Sequence, residues 1–136
     1  MKRLKKMQGF TLIEIMIVVV ILAILGSVVV PQLMDKPDKA RAVKAKQDIL
    51  AIESALDLYK LDKFSYPTTE QGLAVLQPKF IKQINKDPWE REYLYLNPGE
   101  HGAVDIFTYG ADGKKGGEGM DADIGNWEAA EEKAQP

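Results

Sequence analysis

One stretch near the start constrains this chain most: from Ile15 to Met34 there are 20 consecutive residues without a charge, and Ile15 to Leu25 is almost unbroken Ile, Val, Leu and Met. As a helix, that length matches the hydrocarbon core of a bilayer. A chain of 136 residues therefore gives part of itself to a membrane element and keeps enough for one modest globular domain. Ahead of the run stand Lys2, Arg3, Lys5 and Lys6. A basic flank of this kind orients the start toward the cytoplasm and sends the remainder across. Without those four, 14 basic residues face 20 acidic ones from Phe10 onward, a net charge of −6. An acidic remainder argues against nucleic acid as a partner. The absence of cysteine excludes a disulfide framework, a thiolate metal site and a cysteine nucleophile. An exported domain of this size must then draw its stability from a helix-on-sheet core or from a bound ion.

Three readings compete for Met1 to Met34: a cleaved secretory signal, a plain signal anchor and a prepilin segment. A secretory signal has a shorter apolar region ending in a small-x-small site, and Ala23-Ile24-Leu25-Gly26-Ser27 matches that weakly. Gly9-Phe10-Thr11-Leu12-Ile13-Glu14 instead sets a small residue between the basic leader and the apolar run, with one carboxylate inside that run. This string resembles the prepilin peptidase recognition sequence of type IV pilins and type II secretion pseudopilins. The resemblance implies cleavage between Gly9 and Phe10, methylation of the new N-terminal Phe10, and a mature chain of 127 residues.

Glu14 also has a physical argument of its own. A carboxylate in hydrocarbon costs about 2.5–3.5 kcal/mol at a helix centre and less near an end, so it calls for a compensating role. Cleavage would place an amine on Phe10, four residues earlier. The carboxylate of one subunit and the ammonium of a neighbour would then neutralise each other and fix an axial stagger, which is the assembly role the resemblance implies. The plainer alternative puts Glu14 at the membrane interface, favouring a helix N-terminus through the dipole. Pro31 lacks the amide that would bond the Ser27 carbonyl, so a kink or local melting is expected there. The resemblance implies that the segment before this proline unwinds within a filament; alternatively, Pro31 ends the membrane helix.

Beyond Pro37, Asp38 is a candidate N-cap, and Lys39 to Leu61 lacks Gly and Pro. Ile49, Ile52, Leu56 and Tyr59 recur at spacings of three and four, which predicts an amphipathic helix covering a small sheet. Thr68 and Gln71 stand at capping-box spacing and predict a short second helix ending near Gln77-Pro78. Glu92–Leu96 and Val104–Tyr109 read as strands joined across Asn97-Pro98-Gly99, an antiparallel hairpin. A loop rich in glycine and aspartate follows to about Gly125, then Trp127 and a polar, acidic end. The polarity of 128–136 predicts a disordered tail.

Tyr66 to Leu73, Asp87-Pro88-Trp89, Val104-Asp105-Ile106-Phe107, Gly110-Ala111-Asp112-Gly113 and Asp123-Ile124-Gly125-Asn126-Trp127 resemble the major pseudopilin of type II secretion systems. With the N-terminal string, the likeness covers nearly the whole chain. Trp89-Glu90-Arg91-Glu92 departs from the family pattern, in which a glycine often follows the tryptophan, and the segment between Leu76 and Asp87 is short for the family. The resemblance implies an α+β ladle: a long N-terminal helix, half transmembrane and half amphipathic, packed on a small antiparallel sheet with a long C-terminal calcium loop. It divides the chain into a cleaved leader (1–9), a transmembrane and filament-core helix (10–34), a periplasmic domain (35–127) and the tail (128–136).

Composition leaves the loop from Tyr109 to Ile124 open between a solvated loop and a metal site. Asp112, Asp121 and Asp123 offer hard oxygen ligands, and the glycines let carbonyls turn inward, as calcium requires. The resemblance implies one calcium ion here, on Asp112 and Asp123, with Asp121 and the carbonyls of Tyr109 and Ile124 completing the shell. Enzyme chemistry finds no support: His101 is the single histidine and sits in a turn, and Ser54 and Ser65 lack a base partner. Lys79, Lys82 and Lys86 near Phe80 read as a solvated face or a subunit contact for acids such as Asp48, Glu53 or Asp57.

The implied function is structural. Copies polymerise at the bacterial inner membrane into a helical homopolymer, a periplasmic pseudopilus that drives folded exoproteins through an outer-membrane secretin. The implied partners are other copies, a prepilin peptidase, minor pseudopilins and an inner-membrane platform with a cytoplasmic ATPase. The alternatives are a type IV pilin of a surface fibre for adhesion, motility or DNA uptake, and a single-pass periplasmic binding protein that never polymerises.

Overall fold

A computed structural model describes residues 9–134, except for the side chains at 29–36, 130, 132 and 133. The leader thus lies outside the described residues up to Gly9. The chain divides into two compact units, with the boundary between Pro37 and Asp38.

Helix α1 runs over Leu12–Lys63, 52 residues, and its helical assignment passes through Pro31 and Pro37 without a break. Pro31 therefore does not end the helix; its side chain lies outside the described residues. Asp38 is not a helix start either. Because α1 is already helical there, the carboxylate instead accepts a hydrogen bond from the Arg41 guanidinium at 3.0 Å, one turn on. Among the described residues no helix is long and apolar enough to cross a membrane. The uncharged run read from the sequence extends to Met34, beyond the described side chains.

In the second unit, the predicted periodicity of α1 becomes a buried face: Ala45, Ile49, Ile52, Ala55 and Leu56 are each at most 2 % exposed. They meet Leu76, Tyr93, Tyr95, Val104, Ile106 and Ile124 in one core. Each large aliphatic side chain buried this way contributes about 1.5–3 kcal/mol. The sheet has three antiparallel strands in the order β1 (Leu94–Leu96), β2 (Asp105–Thr108), β3 (Ile124–Gly125). Register sets Tyr95 opposite Ile106 and Phe107 opposite Gly125. The hairpin is as predicted, with both strands shorter than the apolar runs; β3 was not foreseen, since two residues carry no period.

Central strand β2 is buried at every position, Asp105 and Thr108 included. Both faces of the sheet are therefore covered, one by α1 and the other by Trp127 against Phe107, with ring centres 5.8 Å apart. The Thr68/Gln71 capping box forms, with the Thr68 N–H on Gln71 Oε1 at 2.8 Å and the Gln71 N–H on Thr68 Oγ1 at 3.2 Å. It closes a turn, however, and the helix that follows is one 3-10 turn, Ala74–Leu76. Gly72 at φ +63° interrupts the α-helical path. After Trp127 the chain forms a second helix, α2 (Trp127–Ala134), where polarity had suggested a tail. Glu128 in its first turn pairs with Lys46 of α1 at 2.7 Å.

Candidate functional site

At the N-terminal end, a Cβ added to Gly9 meets nothing within 4 Å, so the chain's own packing does not require glycine there. Two residues on, Thr11 and Glu14 close a capping box. The Thr11 N–H donates to Glu14 Oε2 at 2.8 Å, and the Glu14 N–H donates to Thr11 Oγ1 at 3.3 Å. In the isolated chain, the Glu14 carboxylate thus satisfies the Thr11 amide and the Thr11 hydroxyl satisfies the Glu14 amide, two donors that the first helical turn leaves without partners. The Thr-x-x-Glu spacing is the sequence signal for this box.

From Leu12 to Val28 the large apolar side chains of α1 lie between 49 % and 79 % exposed. Within the second unit, α1 carries a further exposed set: Val43, Leu50, Leu58 and Leu61. At 100° per residue these four cluster on the side of the helix opposite Ala45, Ile49, Ile52 and Leu56. A helix that is apolar on both sides has a second surface still to bury.

The acids suggested as contacts for the lysine cluster are already engaged within the chain. Asp48 pairs with Lys44 at 2.6 Å and accepts from the Tyr93 hydroxyl at 2.8 Å. Burial, with the Asp48 bond adding to it, pushes the Tyr93 phenol far above its ordinary range. Asp57 accepts from Tyr66 at 2.9 Å, and Glu53 from the Asn126 amide at 3.4 Å. Lys79 bonds Asp62 at 2.9 Å beside Phe80.

The C-terminal loop between β2 and β3 is stitched by its own backbone. The Ala111 N–H donates to the Met120 carbonyl at 3.0 Å. Gly110 makes that closure possible: its φ is +68°, and a Cβ there would stand 2.6 Å from the Ala122 oxygen. Beneath the loop, the Arg91 guanidinium donates to the Gly110 carbonyl. Arg91 lies 3.8 Å from Asp87, whose carboxylate is fully enclosed and accepts from the Trp89 and Arg91 amides at 2.9 and 2.8 Å and from the Thr108 hydroxyl.

Of the three candidate ligands, Asp112 caps the Lys114 amide at 3.0 Å and Asp121 is exposed. Asp123 uses Oδ2 for the Gly116 amide at 2.9 Å, while its Oδ1 is buried and has no hydrogen-bond partner. Among the described residues no three carboxylates or imidazoles converge as a metal cluster. The donor chemistry nonetheless suits a hard cation: Asp123 has a buried, unpartnered carboxylate oxygen in a loop that also carries Asp112, Asp121 and backbone carbonyls.

His101, read from the sequence as a plain turn residue, is more than that. Its ring stacks on Trp127 with centres 3.9 Å apart, and its Nδ1 lies 2.9 Å from Asp105 Oδ2. Burial alone would raise the Asp105 pKa; bonds from the His101 ring and the His101 and Glu100 amides outweigh it and hold the carboxyl below its ordinary value.

A long helix laid on a three-stranded antiparallel sheet, with an apolar N-terminal extension of that helix, defines a pilin-like α+β protein. Residues 32–127 match the family described as "Type II secretion system (T2SS), protein G", and residues 4–30 match the prokaryotic N-terminal methylation motif. The chain is 53 % identical to type II secretion system core protein G of Vibrio cholerae serotype O1, over 93 % of this chain and 96 % of that one. It is 52 % identical to the Pseudomonas aeruginosa core protein G, over 91 % and 97 %. A crystal structure of the major pseudopilin from the type 2 secretion system of enterohaemorrhagic Escherichia coli superposes with a TM-score of 0.62 at 44 % identity, covering 74 % of this chain and 97 % of the other. The chain belongs to the type II secretion system protein G family: it is a major pseudopilin, a structural subunit and not an enzyme.

Proposed function

We propose that the chain is cut between Gly9 and Phe10 by a prepilin peptidase, methylated on Phe10, held in the bacterial inner membrane by the N-terminal part of α1, and polymerised with its domain in the periplasm. The product is a helical homopolymer whose growth pushes folded exoproteins toward an outer-membrane secretin. Minor pseudopilins and an inner-membrane platform with its cytoplasmic ATPase are the other partners. The observation that carries the reading is the doubly apolar α1: one face fills the domain core, while the opposite stripe and the Leu12–Val28 surface remain to be covered by other copies.

In this mechanism Glu14 changes partner. In the single chain its carboxylate holds the Thr11 amide; in the polymer it takes the ammonium of a neighbour's Phe10, so that neither charge stays bare among apolar side chains. Pro31 removes one backbone hydrogen bond from α1, so the segment before it can unwind as copies pack in the filament. In the C-terminal loop, Asp112 and Asp123 would hold calcium, with Asp121 and the carbonyls of Tyr109 and Ile124 as further ligands. A bound calcium ion supplies the cross-link that a disulfide would otherwise provide. Asp123 Oδ1 is the donor left free for it.

The test is the mature mass together with the filament yield of the full chain expressed with its secretion machinery. Processing predicts loss of Met1–Gly9 and gain of one methyl. Glu14→Ala should keep membrane insertion and correct processing while filament yield and exoprotein release fall. A chain still carrying Met1, or unchanged yield in Glu14→Ala, would refute the reading.

A further inference from the structure

Phe64 sits where a helix of this kind usually ends in glycine. Its N–H donates to the Lys60 carbonyl at 2.7 Å, closing the last turn of α1, and its φ is +63°. That left-handed conformation is open to glycine and strained for a residue with a side chain. The phenyl ring gains nothing inside the chain to offset this, because Phe64 is 91 % exposed. Leu61 and Leu58, in the preceding turns, are 75 % and 52 % exposed. The surroundings are ordered rather than frayed: Lys79 pairs with Asp62, and Tyr59 packs edge-on against Phe80 with ring centres 5.4 Å apart. Backbone strain and exposed apolar area thus coincide at one end of one helix, beside a built surface. Such coincidence marks a contact made outside the chain.

We infer that Phe64, with Leu61 and Leu58, is an anchor by which one copy grips the apolar helix Leu12–Val28 of a second copy. The inference rests on the filament reading above. The occupant follows from what the chain itself exposes: that helix carries most of the exposed large apolar side chains among the described residues. Drawn out of the bilayer into a filament, it needs an apolar cover. The stripe of Val43, Leu50, Leu58 and Leu61 offers one, and Phe64 extends it past the helix end. An aromatic ring on a backbone fixed by the Lys60 bond is a preorganised knob, since few of its torsions remain to be ordered on binding.

Two measurements on the full chain, expressed with its secretion machinery, decide it. Phe64→Gly relieves the strain and should melt no lower than the parent while lowering filament yield roughly tenfold, the loss expected for one interface anchor. Phe64→Leu should retain most of the yield. A photo-crosslinking phenylalanine at position 64 should join copies, with the attachment mapped by mass spectrometry within Leu12–Val28. Parental filament yield in Phe64→Gly, or crosslinks found only to lipid or to other proteins, would overturn the anchor while leaving polymerisation intact. Absence of filaments from the parent itself would overturn both readings.

Discussion

At the residue scale, Glu90 carries a cost similar to that of Phe64 for a different reason. It follows Trp89, and its φ of +66° is a conformation that glycine adopts without strain. The turn keeps that shape because Asp87 enforces it: the Glu90 amide bonds the Asp87 carbonyl at 3.0 Å, and the enclosed carboxylate holds the amides on either side. A left-handed residue with a side chain costs roughly 1–2 kcal/mol, offset by the greater entropy glycine would lose on folding. Glu90→Gly should therefore raise stability by about 0.5–1 kcal/mol, measured by urea denaturation. Asp105 is the opposite case, a costly burial fully compensated. Its pKa is lowered on folding, so its contribution is complete above the ordinary carboxylate value and disappears as pH falls through the folded one. Asp105→Asn should lose about 1.5–3 kcal/mol at neutral pH, since the amide nitrogen cannot accept from the hairpin amides. Denaturation midpoints of the variant should change less than the parent's as pH falls below the ordinary carboxylate value of 3.8. Equal acid sensitivity would place the acid response in another group.

At the scale of elements, α1 and the hairpin were legible because their signals are periodic. Ile49, Ile52, Leu56 and Tyr59 repeat at the helical spacing, and Tyr93 and Tyr95 alternate, so each pattern names a face. What stayed hidden depends on single contacts. Strand β3 is two residues long and exists because Gly125 lets Trp127 fold close: a Cβ at Gly125 would stand 2.3 Å from the indole ring. With the ring there, it covers Phe107 and stacks on His101, and the chain past it is positioned to pair Glu128 with Lys46. No local composition encodes that sequence of contacts, which is why 128–136 reads as a tail from its polarity. The Asp38 cap failed for a related reason: capping residues mark starts only where the preceding chain is not already helical. The N-terminal motif was legible as a motif, because Gly9, Phe10 and Glu14 lie within six consecutive residues inside the 4–30 match to the methylation motif. Loop geometry at Asp123 was the least legible. Which of its oxygens lacks a partner is set by folding, not by spacing.

For the whole molecule, the absence of cysteine leaves the C-terminal loop without a covalent tie: beyond short-range turns its order rests on the Ala111 and Gly116 amides, the Arg91 contact to Gly110, and the Lys115–Glu100 pair at 3.6 Å between exposed side chains. A surface pair of that kind contributes about 0–1 kcal/mol. The loop nevertheless delivers β3 and Trp127 to the sheet, so its order is coupled to the edge of the domain. A ligand that binds only the folded loop stabilises the fold by mass action, by about 2.7 kcal/mol at a hundredfold excess over its dissociation constant. Under the calcium proposal, the parent should melt at a higher temperature in calcium than in chelator. Asp112→Ala combined with Asp123→Ala should abolish that difference and melt somewhat below the parent in chelator, since the Lys114 and Gly116 amides lose their acceptors. The loss of calcium dependence is the decisive readout, because the alanines also remove the Asp123 and Asp112 bonds to the Gly116 and Lys114 amides. Any calcium-dependent shift that survives in the double variant would move the ion to other ligands, and equal melting of the parent in calcium and chelator would leave the loop closed by its hydrogen bonds and ion pair alone.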